Sequence, residues 1–428
     1  MTTTAVKLGA HVAERGVEFG VWAPKAKRVD VQIEGPAGTA HHRLETQGDG
    51  VFAGAVAGIG PGTLYRYRLD GSEAYPDPRS RFQPEGVHGP SEVIDFSTFS
   101  WTDQAWPGIT RDQLIIYELH VGTYTPEGTF AALIEQLEEL KSLGVTALEL
   151  MPIAEFPGRW NWGYDGADWF APTRNYGRPE DLNRLIDAAH RTGLAVLLDV
   201  VYNHFGPDGS YWRAFSDDYF TDRHMTNWGQ GINYDGPNSR FVRDFVLDNV
   251  RQWIGDYHFD GLRLDATDAI MDDSEPNILE EIQEAAHAAA SGRDIVVIAE
   301  DARNDVRLIR PVDIDGDGLD AVWADDFHHE LRVYLSNARE NYYQHFQGAL
   351  TDVATAINEG FAFQGQPSPM TGAARGTRVT DEPASAFVFC LQNHDQIGNP
   401  SATASTTRSS TAASWPRQRC CCSRPKSR

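Results

Sequence analysis

Ala195-Val-Leu-Leu-Asp-Val-Val-Tyr-Asn-His204 is an apolar, β-favouring run that ends in a polar cluster of Asp199, Asn203 and His204. A continuous apolar run suits a strand buried on both faces, and polar residues gathered at its end suit the rim of a parallel sheet. The same unit recurs in Gly261-Leu-Arg-Leu-Asp265, Ile298-Ala-Glu300 and Gln392-Asn-His-Asp395. Different strands therefore deliver Asp265, Glu300 and Asp395 toward one place.

Working outward, strand-like runs fall at 114–121, 147–152, 195–201, 261–266, 295–299, 321–324 and 386–391. Between them lie stretches with apolar residues every three or four positions, such as 130–140 and 241–254, which read as helices. Strand alternating with helix predicts a parallel sheet covered on both sides. Seven strands with polar C-terminal ends favour a (β/α)8 TIM barrel over a doubly wound sheet. A dinucleotide-binding sheet would carry a Gly-rich turn after its first strand, whereas here that strand runs into Glu118-Leu-His-Val-Gly-Thr-Tyr-Thr. The catalytic region is expected over 111–399, with an insert at 205–238 over the barrel mouth.

No eighth strand follows, so the barrel is expected to be incomplete after strand seven. Residues 400–428 hold six of the 37 basic residues and no acid, without apolar periodicity. They are expected to be disordered and read like translation in a wrong frame. At the other end, residues 1–98 show period-two runs at 17–22, 28–33, 51–56 and 64–69, separated by turn residues. This pattern predicts a small β-sandwich with Trp22 in its core.

A formal net charge of −24 argues against nucleic acid or an anionic membrane as partner, since either needs a basic footprint. The start lacks the apolar run of a signal peptide and no stretch is long enough to span a bilayer, so a cytoplasmic protein is expected. Of four cysteines, three are adjacent at 420–422 and Cys390 lies in a strand-like run, which supports neither a disulfide framework nor a metal site.

The carboxylates indicate the chemistry. Breaking a bond between sugars needs an acid to protonate the leaving oxygen and a carboxylate to attack or steady the oxocarbenium-like centre. Asp265 and Glu300 end adjacent predicted strands, within reach of the separation a retaining mechanism requires. Arg263 lies two residues before Asp265 and faces the same side of its strand, where its charge keeps the aspartate ionised. Glu300 closes an apolar run, a setting that raises a carboxyl pKa. Each feature alone has a structural reading as an ion pair or a cap. Four clusters in one series outweigh it.

In order and content the clusters resemble the four conserved regions of the alpha-amylase superfamily, glycoside hydrolase family 13, over residues 10–399. The resemblance implies an immunoglobulin-like sandwich of carbohydrate-binding type ahead of the barrel, an α-glucan substrate and no cofactor. It implies Asp265 as nucleophile, Glu300 as general acid/base and Asp395 as transition-state stabiliser. Arg263, His204 and His394 would line the subsite of the sugar whose bond breaks, supported by Asp199 and Asn203, with Tyr164 stacking on that sugar.

Several segments are similar to one branch of the superfamily, which cleaves the α-1,4 bond beside the trehalose end of maltooligosyltrehalose. They are Ile116-Tyr-Glu-Leu-His-Val-Gly-Thr-Tyr-Thr-Pro-Glu-Gly128, Leu150-Met-Pro-Ile-Ala-Glu-Phe-Pro-Gly158, Asn161-Trp-Gly-Tyr-Asp-Gly166, Leu197-Leu-Asp-Val-Val-Tyr-Asn-His204 and Asp325-Asp-Phe-His-His329. The last discriminates most, because branching enzymes carry a Met- and Trp-rich stretch there, and it adds Asp325, Asp326, His328 and His329 to the substrate-binding set. Two alternatives stand beside this reading: a branching-type transglycosylase using the same acids, and an inactive truncated relic.

Overall fold

Alternation along Leu64–Leu69 turns Tyr65, Tyr67 and Leu69 inward and Leu64, Arg66 and Arg68 outward, the period of a half-buried strand. In the computed structural model, which describes residues 6–35, 38–368, 372–398 and 422–423, this strand belongs to an N-terminal β-sandwich. One antiparallel sheet has the order Gly9–Ala13, Gly16–Trp22, Val51–Ala57, Glu45–Gly48. The other runs Gly38–Arg43, Val29–Gly35, Leu64–Leu69, Ala74–Tyr75, and Ser91–Glu92 also pairs with Leu64–Leu69. Val17, Phe19, Val31, Phe52, Tyr65 and Tyr67 fill the space between the sheets.

The predicted parallel strands are all present and follow one another in chain order: Ile116–Leu119, Ala147–Leu150, Ala195–Val200, Gly261–Leu264, Val296–Ala299, Ala321–Trp323 and Phe387–Phe389. Side chains alternate between two apolar environments, as strand geometry requires. Ile116, Ala147, Leu197, Ile298, Trp323 and Val388 cluster inside the curved sheet. Leu148, Leu198, Leu262, Leu264, Val297 and Val322 pack outward with helices Pro179–Thr192, Ser239–Arg251 and Ile278–Ala289. The same parity turns Glu118, Glu149, Asp199, Arg263 and Glu300 inward.

The expected helix over 130–140 is two short helices, Phe130–Ile134 and Leu137–Ser142. Between them the Gln136 N–H bonds to the Leu133 carbonyl, three residues back, tightening the chain at the join. The sheet is open. Among the described residues only Cys422–Ser423 adds to the seventh strand, as two antiparallel residues, and no strand joins it to Ile116–Leu119. Those two residues depart from the expectation of a tail without structure, whereas 399–421 and 424–428 lie outside the described residues.

The insert ties the two domains together. Its helix Trp212–Phe215 sends Phe215 into the sandwich core and Trp212 into the barrel's outer cluster. Trp22 makes the reciprocal move. Although only 3% exposed, as a core residue should be, it leaves the sandwich core to stack on Phe241 of the barrel, with ring centroids 4.6 Å apart. Burying one such aromatic contributes about 1.5–3 kcal/mol over leaving it exposed, so this exchange fixes the sandwich against the barrel.

Candidate active site

Arg263 is the hub. It is 1% exposed on the fourth barrel strand, and its guanidinium sits 4.4 Å from the centroid of the Trp323 ring. Nη1 donates to Asp265 Oδ1 at 2.7 Å and to both oxygens of Asp199 at 2.9 and 3.0 Å, while Nη2 lies 3.5 Å from Glu300 Oε2. Three carboxylates from three strands thus converge on one buried cation, a geometry that stabilises only if each charge is paired.

Asp265 and Glu300 share this cation but differ in surroundings. Asp265 accepts a second hydrogen bond from Asn203 Nδ2 at 2.8 Å, so both of its oxygens have donors. Glu300 accepts from the Ala266 N–H at 2.6 Å. Ala266 is held at φ +40°, left-handed backbone of the sparsely populated kind found at functional sites. Burial pushes the Glu300 carboxyl up to about 8, with the negative charges of Asp265 and Asp325 adding to it and Arg263 opposing. At neutral pH Glu300 therefore carries a proton beside an aspartate tied to cationic Arg263. Burial likewise pushes Asp199 up to about 7, against the pull of Arg263.

The loop 161–166 positions Tyr164. Gly163 adopts φ +105°, and a Cβ there would meet the Pro152 carbonyl oxygen at 2.1 Å, so only glycine fits. Asn161 caps the turn by accepting the Gly163 N–H at 2.7 Å. Tyr164 Oη then lies 2.6 Å from Asp199 Oδ2 and 2.9 Å from His394 Nε2. His394 continues the chain of contacts, with Nδ1 2.6 Å from Glu118 Oε1. His204 lies against Asn203 Oδ1, has Nε2 3.0 Å from the Tyr164 carbonyl, and stacks on Trp228 at 4.7 Å and 4°. Asp395 reaches outward: its side chain is 56% exposed and 3.7 Å from His394 Nε2.

The helix Asp325–Ser336 divides its acids. Asp325 lies near enough to Glu300 and Arg263 to act on both by charge. Burial works upward on it, yet His328, 3.2 Å away, holds it at about 2. His329 packs on Phe346 with centroids 4.8 Å apart, and burial holds it well below its ordinary value. Asp326 is not brought into the cluster. Successive helix positions point about 100° apart, and this one is fully buried on the far side. There it accepts from Asn304 Nδ2 and from the N–H groups of Ala362 and Phe363, and pairs with Arg375 at 2.9 Å. Three donors on Oδ2 and the Arg375 ion pair at Oδ1 make this carboxylate a structural anchor, turned away from the cluster where it was expected to touch sugar.

Sequence reasoning passed over Glu118, Glu149 and Trp323. Each lies two residues from an inward-facing apolar strand residue, Ile116, Ala147 and Ala321, but the sequence alone did not say which face of those strands was inward.

A family model described as the alpha amylase catalytic domain matches residues 101–241, and one described as carbohydrate-binding module 48, the isoamylase N-terminal domain, matches 7–84. A malto-oligosyltrehalose trehalohydrolase of Deinococcus radiodurans is 46% identical over 90% of this chain and 62% of the relative. One of Saccharolobus solfataricus is 42% identical over 91% of this chain and 68% of the relative. A crystal structure of a Salmonella typhimurium protein described as an alpha amylase superposes with a TM-score of 0.86 at 41% identity, covering 93% of this chain and 67% of that one. The chain spans about two thirds of the length of these proteins. Fold, converging acids and both models agree on an amylase-type catalytic barrel behind a carbohydrate-binding sandwich. Within that class, the chain belongs to the malto-oligosyltrehalose trehalohydrolase family.

Proposed function

We propose that this chain hydrolyses the α-1,4 bond next to the trehalose end of maltooligosyltrehalose, with retention, releasing trehalose and a shortened maltooligosaccharide. The carrying observation is the convergence of Glu300 and Asp265 on buried Arg263, with Asp265 also held by Asn203, while burial pushes the Glu300 carboxyl up to about 8. Glu300 gives its proton to the leaving O4 of the trehalose unit as Asp265 attacks the anomeric carbon. The glycosyl-enzyme formed is opened by water, from which Glu300, now ionised, takes a proton. Asp395, exposed beside His394, is assigned to the hydroxyls of the sugar under attack. Tyr164 and His204 line that subsite and Asp199 braces Arg263. Asp325, with His328 and His329 behind it, flanks the Glu300 side.

The curated relatives' names support the trehalose-ended substrate. A second reading, transfer in place of hydrolysis, draws on a Nocardia farcinica 1,4-alpha-glucan branching enzyme, 30% identical over 75% of this chain and 48% of that protein. Incubation with maltooligosyltrehalose separates the two. The trehalohydrolase reading expects free trehalose in step with new reducing ends; new α-1,6 links in amylose without trehalose would favour transfer.

A further inference from the structure

Four side chains form an unbroken line behind the reacting acids: Glu118 on the first strand, His394 beyond the seventh, Tyr164 in the loop after the second and Asp199 on the third. Counting protons along it gives a definite result. Glu118 accepts the His394 backbone N–H at Oε2, 2.9 Å, and faces His394 Nδ1 across 2.6 Å at Oε1. With both Glu118 oxygens turned to nitrogen atoms of His394 as acceptors, the proton of this contact lies on Nδ1. Tyr164 Oη makes two short contacts, 2.6 Å to Asp199 and 2.9 Å to His394 Nε2, and owns one proton. A second proton must lie on Asp199 or on His394.

Two arrangements follow. In one, Asp199 is a neutral acid donating to Tyr164, and Tyr164 donates to a neutral His394. In the other, the Asp199 proton has passed to Tyr164 Oη as the Tyr164 proton passed to His394 Nε2. The net change is one proton: Asp199 becomes an anion and His394 a cation. We propose that Glu118 is a positioning residue that holds this shared proton on His394, so that Asp199 faces Arg263 as an anion.

The surrounding charges favour that state. Glu118 and, at 3.7 Å, Asp395 stabilise a cation on His394, while Trp162 meets its ring edge to face at 5.7 Å. Arg263, with two hydrogen bonds to Asp199, stabilises the anion. Opposing it are the charge of Asp265 near Asp199 and that of Arg263 near His394. Glu149, 1% exposed on the strand between those of Glu118 and Asp199, has its carboxyl pushed well up by burial and by the charges of those two neighbours. Burial works downward on His394, but the Glu118 contact outweighs it and leaves its proton affinity above the ordinary value. Asp199, held near 7, leaves the relay poised around neutrality.

The consequence concerns the proposed catalysis and rests on that reading: with Asp199 ionised, Arg263 is balanced by two aspartates and leaves the proton of Glu300 in place. The test needs no substrate, so a wrong substrate assignment leaves it intact. The full chain, labelled with ¹⁵N at histidine, is titrated by NMR, with the His394 signal assigned by its loss in His394→Gln. The expected result is an imidazolium at neutral pH in the unaltered chain and, in Glu118→Gln, a midpoint lower by about one unit, a tenfold loss of proton affinity. Glu118→Asp should recover part of it. Glutamine keeps the shape and the acceptor oxygen, so a merely structural role for Glu118 predicts no shift. Should Glu118→Gln not fold, Tyr164→Phe removes the oxygen facing Nε2 and should also lower the midpoint. A neutral His394 in the unaltered chain, or equal midpoints with Glu118 and Gln, would overturn the proposal.

Discussion

At the N-terminal end of the barrel strands His190 lies between Asp103 and Asp260, 2.9 Å from each, with Trp106 stacked on its ring at 4.9 Å. Asp260 also accepts from the Val196 N–H and Trp106 Nε1 and pairs with Arg293, while Asp103 accepts from His258 as well. Every oxygen of Asp260 has a donor. At the C-terminal end the pairing is partial: neither Glu149 oxygen has a described hydrogen-bond partner, Glu300 holds a proton it can lose, and Asp395 stands in solvent. Buried polar networks rigidify when fully satisfied, and groups left short of partners keep the freedom to exchange protons. The closed network serves stability and the open one serves chemistry, as the two faces of this fold class divide their work.

Substitutions at the two ends should separate accordingly. Asp265→Asn removes the proposed nucleophile and should cut kcat by about 10⁴-fold or more in a trehalose-release assay, because groups that act as a unit fail together. Glu300→Gln should cost about 10²- to 10⁴-fold. In the unaltered enzyme kcat should fall as pH rises through about 8, where Glu300 loses its proton. That alkaline limb should be missing in Glu300→Gln. Asp260→Ala strips one carboxylate from a buried cation and should lower unfolding stability by about 3–5 kcal/mol by chemical denaturation, leaving kcat per folded molecule unchanged. Asp326→Asn should behave like Asp260→Ala and unlike Asp265→Asn, since its partners are structural.

The same contrast has a pH signature. His190 is raised above its ordinary value: burial opposes the charge, but the two aspartate contacts outweigh it. Its contribution is complete below about 6.5, the unfolded value, and is lost as pH rises through the folded value. Melting temperature measured against pH should decline over that window, and the decline should shrink in His190→Gln. At the small end, Arg28→Ala breaks an ion pair with Asp30 in which the arginine is 52% exposed, and should change stability by less than about 1 kcal/mol.

Strands buried on both faces are plain in the sequence, because an apolar run that ends in an acid suits little besides a covered strand reaching a polar rim. Asp265, Glu300, Arg263 and Asp199 were legible for the same reason, whereas Tyr164, in a loop, came only from the family resemblance; in the structure the five meet. Direction was harder to read. Asp325 and Asp326 look equivalent in sequence, yet one helical step turns them about 100° apart and toward different partners, and the partners of Asp326 at 304, 362–363 and 375 are distant in the chain. Glu118 resembled an ordinary strand residue until its partner, His394, arrived from 276 residues away. The exchange of Trp22 and Phe215 between domains left no periodic trace, because each is an apolar residue in an apolar pattern.

The most direct test follows fresh maltooligosyltrehalose by proton NMR as the chain acts on it. The account predicts trehalose together with a new reducing end that appears first as the α-anomer and only later equilibrates, as retention through Asp265 requires. A β-anomer appearing first, or glucan cleavage without trehalose, would contradict it.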